Sequence, residues 1–195
     1  MKLIWQAFSL FVLLTCLTGV FYPLAMIGVA RVFFKEKSHG SLIRDQDKII
    51  GSSLIAQKFS EPYYFWPRPS ASNFGANPSG ASNQGPTSLQ LKAEIDKRRE
   101  FLKTKHGSSL TEVPEDLLMA SASGLDPHIS IAAAAFQLRR VAQARRINDA
   151  GIPKLQALLE QATSVRQWGV LGEPGVNVLR LNRALDVTFG KIKND

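Results

Sequence analysis

The segment LIWQAFSLFVLLTCLTGVFYPLAMIGVA, residues 3–30, contains no charged side chain, and 21 of its 28 residues are apolar. A helix needs about 20 residues to cross the hydrocarbon core of a bilayer. This segment would form a helix roughly 40 Å long, which is enough to cross it with some tilt. Trp5 lies near one end, and Phe33 and Phe34 lie near the other beside Arg31, as is typical of side chains at lipid headgroups. The pattern predicts one transmembrane helix over residues 4–30.

Pro23 interrupts this helix, because proline removes one backbone hydrogen bond and clashes with the carbonyl of Gly19. We expect a kink there. Thr15, Thr18 and Gly19 lie close to the break. Small and hydroxyl residues in lipid mark a face that packs on another protein helix, although threonine can equally bond its own backbone.

A cleaved signal peptide is the alternative, since Gly28 and Ala30 have the spacing of a signal peptidase site. Against cleavage, the apolar stretch exceeds the usual signal core and the basic residue before it is Lys2 alone. The basic residues after the helix favour a cytoplasmic domain by the positive-inside rule. That rule weakens for long translocated domains, so charge leaves the side open.

The whole chain has 195 residues and 21.5 kDa, which suits one folded domain behind an anchor. Its net charge is +8, from 24 basic and 16 acidic residues. The single cysteine, Cys16, excludes an intramolecular disulfide framework and a cysteine-based zinc cluster. We predict an anchor over residues 1–34 and one soluble α+β domain over residues 35–195, with short strands and a long loop first and helices afterwards.

The first half of the soluble domain is irregular. Residues 41–59 predict short extended pieces around Gly51. Four consecutive aromatic residues at 63–66 predict a core plug beneath a loop or, alternatively, a ligand platform. Residues 67–88 are rich in Gly, Pro, Ser and Asn, which predicts a long loop. Arg68 is the one charged residue of this loop, and we assign it a structural role rather than anion binding.

Helical periodicity begins at Leu89 and recurs three more times towards the C-terminus. The second helix is expected to be capped by Asp126 with Pro127 at its first position, or alternatively by Ser130. The third follows Pro153, and the fourth spans residues 176–185 with Asn177 as a possible cap. The basic run at 97–99 is interpreted as a solvated helix face, so we expect no nucleic-acid partner.

Catalytic and metal motifs are sparse. Asp126, His128 and Ser130 are two residues apart, a spacing that rarely forms a triad, and no G-x-S-x-G sequence occurs. The three histidines lack metal-ligand spacing. A Walker A motif and an Asp-Lys-Thr-Gly phosphorylation loop are both absent, so this chain cannot hydrolyse ATP by either route. We therefore assign no catalytic residue and no metal site.

Several segments resemble one family. They are residues 51–59, GSSLIAQKF; 64–71, YFWPRPSA; 121–130, SASGLDPHIS; and 172–186, GEPGVNVLRLNRALD. Together with the Tyr22-Pro23-Leu24 segment, they resemble the C subunit of the Kdp potassium-transporting ATPase, in that family's order over nearly the whole chain. Trp66-Pro67, Ile131 and Gly175 depart from the pattern.

The resemblance implies a non-catalytic subunit of a high-affinity, ATP-driven potassium uptake complex in a bacterial inner (plasma) membrane. It implies two partners, a channel-like subunit that carries potassium and a P-type ATPase subunit that hydrolyses ATP. The family's C subunit is described as stabilising assembly and as a catalytic chaperone that raises the ATP affinity of the pump subunit. The soluble domain is then expected outside the cytoplasm.

Gln57 stands where the family has a glutamine proposed to meet nucleotide. Glutamine is a poor sole anchor for a triphosphate, which takes Lys, Arg, Mg²⁺ or a ring of backbone N–H groups. We therefore favour a scaffolding role, with ATP reaching the chain only through the complex. The alternatives are a membrane-anchored extracytoplasmic hydrolase that uses His128 and Ser130, or a free binding module released by cleavage after Ala30.

Overall fold

The structure is a computed structural model that describes residues 1–45, 47–107 and 112–192. The chain forms two compact units, Met1–Ser52 and Ser53–Asp195. Both units contain helices and short strands, so the predicted α+β class is confirmed.

The first unit begins with one long helix, α1, at Lys2–Phe33. It has 32 residues, an 18-residue window within it has a mean hydropathy of 2.2, and it is long and apolar enough to cross a membrane. None of its side chains is buried by the protein. The predicted helix over residues 4–30 is therefore present and extends slightly at both ends.

A π-helical turn lies at Leu17–Phe21, directly before Pro23, where the sequence predicts a kink. The Tyr22 N–H bonds the Leu17 carbonyl, five residues back, so the wider turn stands where proline disturbs the ladder. The Thr18 hydroxyl donates to the Leu14 carbonyl at 2.7 Å. Thr18 thus bonds its own helix backbone, which was the alternative to a role in packing against another helix.

After the short helix α2 at Lys35–Ser38, a hairpin completes the first unit. Strands β1 (Leu42–Asp45) and β2 (Lys48–Ser52) pair antiparallel with Leu42 opposite Ser52 and a bulge between Ile43 and Arg44. The predicted extended pieces therefore exist up to Ser52. Residues 53–59 form turns and irregular backbone instead.

The described residues of the second unit form four α-helices, two short 3₁₀ helices at Glu115–Leu117 and Asp149–Gly151, and a small sheet. The helices are α3 (Leu89–His106), α4 (Ile131–Ala144), α5 (Ile152–Ala162) and α6 (Val178–Phe189). Strands β3 (His128–Ile129), β4 (Thr163–Ser164) and β5 (Gly175–Asn177) form an antiparallel sheet in the order β3-β5-β4. Val176 of β5 lies opposite Ile129 on one side and Thr163 on the other.

The core of this unit is formed by apolar side chains from α4, α5, α6 and β5, together with Phe65 from the irregular half. Its fully buried members include Ala133, Val141, Leu155, Val176, Leu181 and Leu185. These helices therefore bury apolar side chains in one common interior, although Ile131 at the start of α4 is 43% exposed.

Helix α4 begins later than its first-choice prediction. Ser130, not Asp126, is its N-cap, and its hydroxyl accepts from the Ala133 N–H at 2.9 Å. Asp126 instead accepts from the His128 N–H at 3.0 Å, because residues 128 and 129 pair with β5. The choice of Asp126 with Pro127 was wrong, and the Ser130 alternative is confirmed.

Helix α6 also begins two residues later than predicted, because Gly175–Asn177 forms strand β5. The predicted cap is nevertheless correct, since the Asn177 side chain accepts from the Arg180 N–H at 3.1 Å. Residues 176 and 177, which periodicity alone assigned to the helix, instead pair with β3 in the sheet.

The predicted loop at residues 67–88 contains no helix or strand. Its last residue, Ser88, is the N-cap of α3. It is ordered by its contacts with residues 121–124. The Ser70 hydroxyl donates to the Gly124 carbonyl at 2.6 Å, and the Ser121 N–H bonds the Pro69 carbonyl at 2.9 Å. Gly124 has a φ of +70°, and a Cβ there would lie 2.9 Å from the Gly80 carbonyl oxygen, so glycine is required.

Candidate functional site

The aromatic segment Tyr63–Trp66 passes through the middle of the second unit. Phe65 is completely buried, whereas Tyr63, Tyr64 and Trp66 are half-buried. The predicted core plug is therefore confirmed for Phe65. The other three rings reach the surface and shape it.

Two amides from distant helices hold this segment. Asn182 of α6 accepts from the Phe65 N–H at 2.8 Å and donates to the Phe65 carbonyl at 2.9 Å. Gln137 of α4 does the same for Trp66, at 2.7 Å and 3.0 Å. Each amide thus supplies the donor and acceptor that a neighbouring strand would supply, and the buried backbone groups are satisfied.

Arg140 adds a buried cation beneath the segment. It is 5% exposed, and its NH1 group donates to the carbonyls of Pro62 and Tyr64. Its guanidinium carbon lies 3.8 Å from the centre of the Trp66 ring, in cation–π geometry. Burial lowers the pKa of Arg140 to about 9, so it stays charged at neutral pH.

His106 accepts a hydrogen bond from the Nε group of Arg140. Arg140 Nε lies 2.9 Å from His106 Nε2, and His106 Nδ1 lies 2.9 Å from the Leu102 carbonyl oxygen. This pattern requires a neutral ring with its proton on Nδ1. Burial lowers the pKa of His106 to about 4, and the nearby Arg140 charge acts in the same direction.

A second cluster secures the start of the segment. Arg145 pairs with Asp186 at 2.6 Å and donates to the Tyr63 carbonyl at 2.8 Å. The Tyr64 hydroxyl donates to the same carboxylate at 2.7 Å. Burial, followed by this bond to Asp186, raises the pKa of Tyr64 to about 12. These contacts make the aromatic segment a rigid part of the domain.

A cleft of about 260 Å³ opens beside Trp66. We call it the aromatic cleft, and its lining comprises Lys58, Phe59, Ser60, Trp66, Pro67, Arg68, Pro69, Phe74, Arg98, Phe101, Leu102 and Leu117. The rings of Trp66 and Phe101 stack with their centroids 5.6 Å apart. Apolar rings and basic side chains therefore share one concave surface.

Arg68 and Arg98 are both anchored by carboxylates. Arg68 pairs with Asp126 at 3.3 Å, which fits the structural role predicted for it. Hydrogen bonds from His128, with a smaller contribution from Arg68, lower the pKa of Asp126. Arg98 pairs with Glu94 at 3.0 Å and donates to the Leu118 carbonyl at 2.7 Å. Arg98 is thus a packing residue, whereas the run at 97–99 was interpreted as wholly solvated.

Gln57 directly precedes the cleft residue Lys58 in sequence, but it does not itself line the cleft. It is half-buried and stands between Ala56, whose N–H bonds the Leu125 carbonyl at 2.9 Å, and Lys58, which lines the cleft. The GSSLIAQKF segment is thereby fastened to the SASGLD segment. Two of the motifs that carried the family resemblance therefore meet in space.

The residues of the hydrolase alternative do not assemble a catalytic set. The Ser130 hydroxyl donates to Asp116 at 3.1 Å while it caps α4. His128 Nδ1 lies 3.6 Å from Asp126, and its Nε2 lies 3.5 Å from the Asn177 amide. Among the described residues, no group of three or more His, Cys, Asp or Glu side chains has metal-binding geometry.

Sequence reasoning missed one surface feature. After β4 the chain makes a small hairpin in which Gln167 and Leu171 exchange two backbone hydrogen bonds of 2.9 Å. We call it the apolar finger; Val165, Trp168, Val170 and Leu171 are 50–87% exposed on it. Trp168 and Gly169 both have positive φ, at 52° and 77°. The available signal was a Trp-Gly turn with apolar residues on both sides.

Comparison with known proteins places these features in one family. The family model described as K⁺-transporting ATPase, c chain, matches residues 4–187. Potassium-transporting ATPase KdpC subunits are similar in Dechloromonas aromatica (52% identity over 94% of this chain and 96% of the relative) and Leptospira interrogans (46% over 98% and 97%). The Rhodospirillum rubrum subunit is 50% identical over 94% of both chains.

Proposed function

The chain belongs to the KdpC family, the c chains of K⁺-transporting ATPases, and we propose that it acts there as a non-catalytic subunit that stabilises the assembled complex. It is therefore a subunit of a potassium transport complex. The observation that carries the proposal is the match over nearly the full length of both this chain and its relatives. The anchor and the soluble domain are included together in that match.

The surfaces of the chain support an assembly role. Helix α1 buries none of its own side chains, and a Cβ at Gly19 would meet no atom within 4 Å. Small residues such as Gly19 allow close helix packing in lipid. The apolar finger presents a second patch of exposed apolar side chains. We propose that α1 packs beside the channel-like, potassium-carrying subunit and that the soluble domain covers its outer mouth.

This arrangement requires the soluble domain to lie outside the cytoplasm, with α1 as a permanent single-pass anchor in the plasma membrane. A topology reporter fused after Asp195 tests it: activity only in the extracytoplasmic compartment is expected. A cytoplasmic readout would overturn the proposed placement. N-terminal sequencing of the mature chain tests retention of α1, and a chain that begins after Ala30 would identify the free binding module instead.

The catalytic chaperone role is a further part of the proposal, in which the chain raises the affinity of the P-type ATPase subunit for ATP. Direct contact through Gln57 can be tested separately. Gln57→Ala in the purified complex should raise the KM for ATP if the glutamine meets nucleotide. Gln143→Ala, an exposed glutamine on α4, is the matched control. We expect both variants to keep the native KM, because an extracytoplasmic Gln57 acts only through assembly.

A further inference from the structure

The aromatic cleft has a charge that its structural role does not require. Its three charged lining residues, Lys58, Arg68 and Arg98, are all basic, and the described lining contains no carboxylate. The carboxylate partners of the two arginines, Asp126 and Glu94, lie outside the lining. Lys58 is exposed and forms no ion pair with the described residues. Among the described residues, Lys58 is thus the basic lining residue without a carboxylate partner, and its charge favours an anion in the cleft.

The remaining lining is apolar. Trp66 and Phe101 form a stacked pair, and Phe59, Phe74, Leu102 and Leu117 complete the wall. A volume of about 260 Å³ holds roughly ten non-hydrogen atoms. A nucleoside triphosphate is far larger than this volume.

We propose that the aromatic cleft binds a small free amphipathic monoanion, a ring or short apolar chain that carries one carboxylate. The apolar body lies against Trp66 and Phe101, and the carboxylate faces Lys58. This inference depends on the geometry of the cleft and is independent of the proposed assembly role.

The probe is 3-phenylpropionate, which matches the cleft in size and carries one carboxylate. In full-length protein with Trp5→Phe and Trp168→Phe, Trp66 is the sole tryptophan and reports directly on the cleft. We expect a saturable change in its emission, with a dissociation constant on the order of 1 mM. The neutral analogue 3-phenylpropionamide should bind at least about 5-fold more weakly.

Variants locate the site. In the same background, Lys58→Gln should weaken 3-phenylpropionate about 2- to 5-fold. Phe101→Ala should weaken it about 5-fold. Lys92→Gln, an exposed lysine of α3 outside the cleft, should change nothing. Lys58 is exposed, so Lys58→Gln should keep the parent's thermal unfolding curve, whereas Phe101→Ala loses its stacking on Trp66 and should unfold at a slightly lower temperature.

Equal affinity for acid and amide would overturn the proposal, and so would an unchanged affinity in Lys58→Gln and Phe101→Ala. Displacement of the probe by submillimolar ATP would also overturn it, because the cleft would then accept a nucleotide. Loss of the probe response in the assembled complex would assign the cleft to a partner's segment and overturn the free-ligand proposal. Such a loss would leave the assembly role intact.

Discussion

Asn182 bonds the backbone of Phe65 in both directions, across 117 residues of sequence. Asn182 is 2% exposed and Phe65 is wholly buried, so water cannot replace either bond. The amide therefore acts as a one-residue strand neighbour for an irregular segment. Through it, α6 sets the position of the aromatic residues that line the cleft.

Asn182→Leu should destabilise the domain by about 2–4 kcal/mol, because it leaves the N–H and carbonyl of Phe65 buried without partners. Chemical unfolding of the full-length chain in detergent measures the change. Gln143→Leu removes an exposed amide from α4 and should stay within about 0.5 kcal/mol of the parent. Equal losses in the two variants would show that the backbone of Phe65 finds other partners.

Arg140→Met should cost about 2–4 kcal/mol. The variant removes a buried charge, which is favourable, but it leaves the carbonyls of Pro62 and Tyr64 without that donor and removes the cation over Trp66. Arg139→Met, the exposed neighbour on α4, is the control and should be near neutral. A stabilised Arg140→Met would mean that the desolvation of the guanidinium outweighs its bonds.

Stability should fall with acid because of His106. Its pKa is about 4 in the folded protein and 6.5 when unperturbed, so the unfolded chain binds the proton first as pH falls. The contribution is complete above pH 6.5 and is lost between pH 6.5 and about 4, by up to roughly 3 kcal/mol. Unfolding free energies measured across this window test the slope.

His106→Gln keeps hydrogen-bonding groups without titrating, so it should flatten this pH dependence. His39→Gln, an exposed histidine of the first unit, should keep the parent's profile. A slope that survives His106→Gln would assign the acid sensitivity to another group.

Ser130→Ala should lower stability by about 1–2 kcal/mol through loss of the α4 cap and of the bond to Asp116. Potassium uptake by the complex should continue, as it should in His128→Ala. Ser88→Ala removes the equivalent cap of α3 and provides a similarly destabilised control. Uptake abolished by Ser130→Ala and His128→Ala alone would revive the hydrolase alternative.

Trp168→Ser should leave folding within about 0.5 kcal/mol of the parent, since Trp168 is 87% exposed. It should lower the amount of this chain that co-purifies with its partner subunits, because exposed apolar patches mark interaction sites. Val187→Ser removes another exposed apolar side chain, from α6, and should not affect recovery. Undiminished recovery of Trp168→Ser would exclude the apolar finger from assembly.

The misplaced start of α4 shows where sequence reasoning was limited. Asp126-Pro127 and Ser130 both satisfy the local rules for a helix start. Pairing of residues 128 and 129 with β5 decided between them. The interpretation of the basic run at 97–99 failed for a similar reason, because Arg98 also bonds the Leu118 carbonyl, 20 residues along the chain, which local sequence does not position.

By itself the sequence determined the apolar helix, the long loop, the four helices of the second unit and the family resemblance. These follow from hydropathy, periodicity and turn residues, which act over a few neighbouring positions. Only the tertiary structure decided that Asn182, Gln137 and Arg140 converge on residues 62–66 and that basic and aromatic side chains share one cleft. Those contacts join residues 71 to 117 positions apart, and their hydrogen bonds depend on distances that no local pattern encodes.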